Sequence, residues 1–265
     1  MKIVCLKGGL GNQMFEYCRF RDLMESGHDK VYLFYDRRRL KQHDGLRLSD
    51  CFELELPSCP WGIKLVVWGL KICRAVGVLK RLYDDEKPEA VLIDDYSQHR
   101  RFIPNARRYF SFRQFLAELQ SGFVQMIRAV DYPVSVHVRR GDYLHPSNSS
   151  FGLCGVDYFR QAIAYVRKKR PDARFFFFSD DMEWVRENLW MEDAVYVEHT
   201  ELMPDYVDLY LMTLCRGHII SNSTFSFWGA YLAVDGNGMK IYPRRWFRDP
   251  TWISPPIFSE EWVGL

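Results

Sequence analysis

The alternation of short apolar runs with longer segments of helical periodicity constrains the fold of this chain most. One run, Arg174–Ser179, contains four consecutive phenylalanines, which is typical of a strand buried on both faces of a parallel sheet. Strands that alternate with helices predict an α/β protein with parallel sheets. The predicted strands lie at residues 2–6, 31–35, 90–94, 134–138, 174–179, 196–197, 217–220 and 240–243.

The predicted helices occupy the segments between these strands. Asp131-Tyr132-Pro133 interrupts the helical pattern that precedes it, because the residue before a proline avoids the helical conformation. A chain of 265 residues is long enough for two domains, and we expect them at 1–130 and 131–265. The predicted helices lie at residues 12–26, 61–82, 111–128, 156–170, 203–215 and 225–234, with another from 182 onward and a loop at 37–47.

A cluster of charged residues follows the strand that begins at Val134. The chain reads V-S-V-H-V-R-R-G-D-Y-L there, and strand alternation places His137 and Arg139 on one face. Ligands of open α/β sheets bind at the carboxyl ends of strands. The paired guanidinium groups of Arg139 and Arg140 suit an anion such as a phosphate or a carboxylate. The alternative is a surface ion-pair network of both arginines with Asp142.

A second polar strand end follows the strand at residues 217–220. It reads S-N-S-T-F-S at the start of the next predicted helix. Hydroxyl groups, backbone N–H groups and the positive end of a helix together suit a phosphate or an oxyanion. An ordinary helix N-cap needs one such residue, and this stretch supplies more. The predicted contacts are Asn222, Ser223, Thr224, Phe225 and Ser226.

Two aspartates, Asp180 and Asp181, follow the phenylalanine-rich strand. Asp180 either caps the helix that begins near Met182 or binds part of a ligand. The two aspartates are adjacent rather than spaced as in D-x-D. The seven scattered cysteines include no CxxC pair and have no zinc-like spacing. The sequence therefore predicts no metal site.

The first predicted strand leads into a glycine loop, K-G-G-L-G-N-Q-M-F. The spacing matches neither the dinucleotide-binding fingerprint nor a Walker loop. One interpretation is that the glycines only form the turn between strand and helix. The other is that the backbone N–H groups of the loop, with Gly11, Asn12 and Gln13, face a ligand.

Composition and the remaining segments limit the possible partners and location. A net charge of +2 does not favour nucleic-acid binding. The chain enters a strand at Lys2 without an apolar leader, so we expect a cytoplasmic protein with reduced thiols. Residues 61–82 are apolar, with four basic residues on about a quarter of the helix circumference. They form either a helix packed on three sides with a solvated basic edge, or an amphipathic helix that contacts the anionic inner membrane surface.

Three stretches together resemble the α-1,2-fucosyltransferases of glycosyltransferase family 11. They are G-G-L-G-N-Q-M-F at 8–15, H-V-R-R-G-D-Y at 137–143 and S-N-S-T-F-S-F-W-G-A at 221–230. The resemblance implies an α/β fold of the GT-B-like kind, with two Rossmann-like domains facing a cleft. The first domain would hold the acceptor side and the second would bind GDP-fucose. The reaction implied is metal-independent transfer of L-fucose, with inversion, to the 2-hydroxyl of a terminal galactose in a glycan, in surface polysaccharide biosynthesis.

The resemblance also implies roles for residues of the site. Arg139, with Arg140 and the helix start at Ser223 and Thr224, would neutralise the departing diphosphate. His137 would be a hydrogen-bond partner of the donor, and Asp180 and Asp181 would serve the nucleoside. Asp142 is either the general base or a brace for the arginines. Two alternatives remain: a transferase that uses another nucleotide sugar, or a glycan- or nucleotide-binding module without catalysis.

Overall fold

The computed structural model of the protein describes residues 1–40, 45–84, 87–119, 122–148, 150–198 and 203–265. The chain forms two compact α/β units, Met1–Arg113 and Gln114–Leu265. The division therefore lies earlier than the expected boundary at 130/131. The reason is that the helical residues after Arg113 pack on the second unit, where the ring centroids of Phe115 and Tyr206 are 6.4 Å apart.

The first unit is built on a three-stranded parallel sheet in the order β2-β1-β3. The apolar residues of β1 and β3 are almost fully buried, as a central strand and its neighbour require. Its elements are β1 (Lys2–Leu6), α1 (Leu10–Glu25), β2 (Val31–Tyr35), α2 (Arg37–Leu40), α3 (Leu48–Cys51), α4 (Trp61–Ala75), β3 (Leu92–Ile93) and α5 (Ala106–Tyr109).

Two predictions in the first unit need correction. The helix expected over residues 61–82 ends at Ala75, because Gly77 adopts a left-handed conformation with φ of +75° that ends a helix. A separate 3-10 turn spans Lys80–Leu82. The expected loop at 37–47 begins with the short helix α2, and its residues 41–44 lie outside the described part of the chain.

The second unit is built on a six-stranded parallel sheet in the order β6-β5-β4-β7-β8-β9. The helix expected over 111–128 is divided into two short helices, and the two-residue strand β9 is too short to show in the sequence pattern. The elements are α6 (Gln114–Ala117), α7 (Gly122–Arg128), β4 (Tyr132–Val138), α8 (Val156–Lys169), β5 (Ala173–Ser179), α9 (Met182–Asn188), β6 (Val195–Tyr196), α10 (Tyr206–Leu214), β7 (Gly217–Ile219), α11 (Thr224–Tyr231), β8 (Lys240–Tyr242) and β9 (Val263–Gly264).

The strand β4 lies at the centre of this sheet, between β5 and β7. All residues of β4 are buried, and so are the four phenylalanines of β5, which confirms a sheet covered on both faces. Val138 pairs with Ser179 and Val136 pairs with Ile219. The carboxyl ends of three adjacent strands therefore emerge together. The three polar stretches predicted from the sequence follow these strand ends.

Among the described residues, no helix combines the length and the apolar character needed to cross a bilayer. In the same part of the chain, no group of three or more His, Cys, Asp or Glu side chains is placed to hold a metal ion.

Candidate active site

Arg139 lies directly after β4 and is held by two carboxylates. Its Nε and one terminal nitrogen each lie 2.8 Å from Asp142 Oδ1. Its other terminal nitrogen lies 3.1 Å from Asp180 Oδ2. Burial lowers the pKa of Arg139, but Asp180 and Asp142 more than offset this, so that the pKa is raised. The guanidinium is a fixed, permanently charged fork at the end of the central strand.

Asp142 braces this fork. It begins a 3-10 turn, Asp142–Leu144, and one carboxylate oxygen accepts both hydrogen bonds from Arg139. The side chain is 44% exposed. Of the two roles that the sequence predicts, this contact is the one expected of a brace, and the role as general base stays a prediction.

Arg140 points to other partners than Arg139, although the two are adjacent. Its backbone N–H donates to Asp180 Oδ1 at 2.8 Å. Its guanidinium bonds Asp181 Oδ2 at 2.9 Å and lies 4.0 Å from the ring centroid of Trp184. With an exposed side-chain fraction of only 15%, Arg140 ties the end of β4 to the end of β5. The expected anion contact at Arg140 is therefore less accessible than that at Arg139.

Asp180 and Asp181 link the ends of β4 and β5. Asp181, rather than Asp180, caps α9 by accepting a hydrogen bond from the Trp184 backbone N–H at 3.2 Å. Asp180 accepts from the backbone of Arg140 and from the side chain of Arg139. A Cβ atom at Gly141 would lie 2.7 Å from Asp180 Oδ2. A side chain at position 141 would therefore displace the Asp180 carboxylate.

His137 is buried next to the end of β7. Its Nδ1 lies 2.9 Å from Ser221 Oγ, and its ring centroid lies 5.8 Å from that of Phe225. Burial, with a further contribution from Arg139, lowers the pKa of His137 to about 3, against an opposing effect of Asp180. His137 is therefore a neutral hydrogen-bonding group at physiological pH and not a cation.

The start of α11 has the serine and threonine residues expected of an anion site. Ser223 occupies the N-cap position but makes no side-chain capping bond, so its hydroxyl is not committed to the helix. Ser226 is buried, and its hydroxyl donates to the carbonyl of Ser223. Thr224 and Phe225 are half-buried. The first N–H groups of this eight-residue helix lie at the same sheet edge as Arg139.

Asn222 differs from its predicted role as a donor contact. Its side-chain nitrogen donates to the carbonyls of Gly152 and Trp246 at 2.6 and 2.7 Å, and its oxygen accepts from Cys154 Sγ at 3.5 Å. The residue is 1% exposed. Its amide joins two loops of the unit and is satisfied within the protein.

A pocket of about 880 Å³ is lined in part by residues that follow β4. Its lining includes Tyr143, which follows the arginines in the chain, together with His145, Arg245 and Arg248. Tyr143 stacks on Phe151 with ring centroids 4.9 Å apart. The volume is that of a small-molecule site. The residues that line this pocket do not include Arg139.

The predicted site residues do not include Asp208, which lies in the first turn of α10. This helix leads into β7, so by its connection it begins at the carboxyl edge of the sheet. Asp208 is only 5% exposed, and a buried carboxylate at this edge is suited to polar hydrogen-bond donors. Acidic residues are common in the first turn of a helix, so the sequence alone does not distinguish Asp208 from an ordinary capping residue.

The glycine loop of the first unit forms a tight turn. Gly8 has φ of +70°, and a Cβ there would lie 2.7 Å from Asn12 Nδ2. Gln13 is fully buried and donates to the carbonyls of Gly8 and Gly45 at 2.9 Å each. Gly11 lies inside α1 rather than in the loop. The side chain of Gln13 is therefore occupied within the protein, in contrast to the expected ligand contact.

The chain is similar to known proteins over most of its length. A family model described as glycosyl transferase family 11 matches residues 99–265. An alpha-1,2-colitosyltransferase of Escherichia coli is 30% identical over 285 residues, covering 98% of this chain and 97% of that protein. The galactoside 2-alpha-L-fucosyltransferase SEC1 of Bos taurus is 27% identical, covering 98% of this chain and 72% of that protein.

A solved structure gives the fold. The crystal structure of NodZ alpha-1,6-fucosyltransferase soaked with GDP-fucose matches with a TM-score of 0.52 at 15% identity, over 88% of this chain and 92% of that one. The likeness places the chain among α/β proteins of the GT-B-like kind. The chain belongs to glycosyl transferase family 11, and it is a glycosyltransferase.

Proposed function

We propose that the protein transfers L-fucose from GDP-fucose to the 2-hydroxyl of a terminal galactose, with inversion and without a bound metal. The observation that carries the proposal is the braced guanidinium of Arg139 at the same sheet edge as the start of α11. Both groups suit the diphosphate of a nucleotide sugar. The names of the relatives support a fucose-type sugar and a 1,2-linkage.

Departure of the diphosphate is the step that these residues assist. The acceptor oxygen forms a bond to the anomeric carbon while the bond from that carbon to the diphosphate oxygen breaks. The electron pair of the broken bond leaves with the diphosphate, and the hydroxyl proton passes to a base or to water. Arg139, already positioned by Asp142 and Asp180, stabilises the charge that develops on the leaving oxygen. Because the Arg139 guanidinium is already held in place, it does not have to reorganise when the bond to the diphosphate breaks.

We assign this charge neutralisation to Arg139 and the helix start instead of a divalent ion. His137 contributes as a neutral hydrogen-bonding group that fixes the end of β7 through Ser221. The role that we propose for Asp142 in the reaction is to orient the Arg139 side chain.

A second candidate is transfer of colitose from its nucleotide derivative. The E. coli relative, 30% identical over almost the whole chain, carries the name of that activity. The diphosphate contacts would be the same in both cases, so the two candidates differ in the sugar and not in the anion site. The cytoplasmic location expected from the sequence stays a prediction.

The test is a donor and acceptor panel with the purified full chain. GDP-fucose, GDP-colitose, a UDP-sugar and a dTDP-sugar are each offered with β-galactosides, with and without EDTA, and the product linkage is read by NMR. We expect a 1,2-linked fucosyl product that forms equally well with the chelator. A preference of more than tenfold for GDP-colitose would establish the second candidate. A rate abolished by EDTA and restored by Mg²⁺ would refute the metal-free assignment, and failure of every donor would refute the transferase.

A further inference from the structure

The outer face of α4 exposes large apolar side chains at helical spacing. Trp61 and Trp68 are 73% and 67% exposed, and Leu65 and Ile72 are also exposed on the same side, since positions three and four apart share a helix face. The opposite side of the helix is buried in the core of the first unit. The helix thus has two apolar faces, and only one of them is covered.

The exposed apolar surface continues past the end of α4. Val76, Val78 and Leu79 are at least half exposed in the turn that follows. Seven of the eighteen exposed large hydrophobic residues of the described chain fall between residues 61 and 79. Scattered apolar residues on a surface are ordinary, whereas a contiguous patch marks an interaction site. We call residues 61–82 with this surface the α4 patch.

The charge of the α4 patch limits what can cover it. Residues 61–82 contain five basic residues and no acidic residue, and acidic residues flank this segment at Glu53, Glu55 and Asp84. Two of the five, Lys71 and Arg74, form ion pairs with Asp94 at 3.5 and 3.4 Å. The other three are exposed beside the apolar residues. They are Lys64, Lys80 and Arg81.

This combination favours an anionic apolar surface over a second copy of the chain. In a two-fold dimer the same patch meets itself, so these cations would face each other. A membrane that contains acidic lipids instead offers negative charge at its surface and apolar chains beneath it. Tryptophan, with an apolar ring and a polar N–H, prefers that boundary.

The length of α4 fits a helix that lies in the plane of a membrane. Its fifteen residues span about 22 Å at 1.5 Å per residue, shorter than the roughly 30 Å of a bilayer core. A helix with a tryptophan-rich apolar face and flanking cations lies at the boundary between headgroups and acyl chains. From these observations we propose that the α4 patch docks the protein onto the surface of an anionic phospholipid membrane. The proposal goes beyond the transfer reaction and does not depend on it.

The test is flotation of the full chain with vesicles of phosphatidylcholine alone and with vesicles that contain about a third phosphatidylglycerol. We expect binding to the anionic vesicles at least tenfold stronger than to the neutral ones, and weakened by 0.5 M NaCl. The double variant Trp61→Ser, Trp68→Ser is expected to lose at least tenfold in binding. The matched control is Trp190→Ser, Trp252→Ser, which changes two tryptophans that are 64% and 52% exposed outside the patch and keeps the binding.

A second variant tests the charges independently of the tryptophans. Lys80→Gln with Arg81→Gln changes only the exposed turn, and we expect a loss of three- to tenfold on anionic vesicles alone. Lack of binding to any vesicle would overturn the proposal, and so would equal binding of the wild type and both variants. A dimer in solution that Trp61→Ser, Trp68→Ser dissociates, without vesicle binding, would assign the patch to a second copy. Arg139→Lys should bind vesicles like the wild type, so a failed transfer assay and a failed docking assay remain separate results.

Discussion

Three parallel strands, β1 in the first unit and β4 and β7 in the second unit, are each followed by polar side chains, but these side chains are used differently. Small and amide-bearing residues follow β1 and β7, and charged residues follow β4. In the first unit, Gln13 is fully buried with three hydrogen bonds to the backbone, and Glu16 is buried beside it. In the second unit, Arg139 is one-third exposed, and Ser223 makes no capping bond.

The difference shows that a polar side chain at a strand end suits a ligand only where the fold has left its hydrogen-bonding capacity unused. Gln13 and Asn222 are amides at positions typical of binding loops, yet each donates two hydrogen bonds to backbone carbonyls of its own unit. Arg139 also has internal partners, but both are carboxylates at the site itself. These hold the guanidinium in place and leave about one-third of the side chain exposed.

Arg139→Lys tests the most directly used group and should have the largest effect. A point charge cannot reproduce a bidentate fork, and loss of one preorganised donor costs about 10²–10³ in rate. We expect kcat for fucosyl transfer to fall by about that factor, measured by initial rates with saturating GDP-fucose. The melting temperature should change little.

The matched control is Arg174→Lys, which changes an exposed arginine at the opposite end of the neighbouring strand and should leave kcat unchanged. A rate within threefold of the wild type for Arg139→Lys would mean that the diphosphate is neutralised elsewhere.

Gln13→Ala tests the other side of the comparison. The substitution leaves the carbonyls of Gly8 and Gly45 and the N–H of Arg47 without their side-chain partner. At about 1 kcal/mol for each lost hydrogen bond, we expect the free energy of unfolding to fall by about 2–3 kcal/mol in urea denaturation. The kcat of the folded protein should stay within about threefold.

Gln98→Ala provides the comparison for this variant, because Gln98 is partly exposed and its side-chain nitrogen donates a hydrogen bond to Asn12 Oδ1 at 3.0 Å. It should cost less than about 1 kcal/mol. Unchanged stability with a large loss of turnover in Gln13→Ala would show that the amide serves a ligand after all.

The sequence predicts much of this site because its strands are set by local patterns. The apolar runs that form β4 and β5 place the arginines and aspartates at adjacent strand ends, and parallel pairing then brings them together. Two of the partners could not be predicted, Gly45 for Gln13 and Trp246 for Asn222, because they lie 32 and 24 residues away along the chain in loops without a regular pattern. The early end of α4 follows from the left-handed conformation of Gly77, which a helical period does not reveal.

The buried titratable groups of the two units respond oppositely to pH. Burial raises the pKa of Glu16 well above 4.5, against a smaller opposing effect of the Lys7 N–H. Above pH 4.5 the unfolded state therefore loses a proton that the folded state keeps, and stability falls as pH rises. Burial lowers the pKa of His137 and of His218 to about 3. Below pH 6.5 the unfolded state binds protons that the folded state does not, and stability falls as pH drops.

Glu16→Gln should remove only the first of these dependences. The amide oxygen can accept the bond that the Lys7 N–H donates at 2.8 Å, and it carries no proton to lose. Relative to the wild type, we expect a higher free energy of unfolding for Glu16→Gln. The difference should grow by about 1.4 kcal/mol per pH unit above 4.5, up to the pKa of Glu16 in the folded state. Urea denaturation between pH 5 and 8 measures it, and a difference independent of pH would contradict the assignment. The loss of stability on the acid side should persist.

Asp142→Asn has the smallest expected effect and decides between brace and base. Both bonds from Arg139 end on one carboxylate oxygen, and the amide oxygen of asparagine can accept both. A hydrogen bond to a charged acceptor is about twice as strong as one to a neutral acceptor, so a weakened brace should lower kcat by about fivefold. A general base contributes about 10²–10⁴, and its loss would also remove the acid limb of the pH–rate profile. A fivefold loss with an unchanged profile therefore assigns Asp142 to the positioning of Arg139, whereas a loss of more than a hundredfold with an altered profile assigns it to proton transfer.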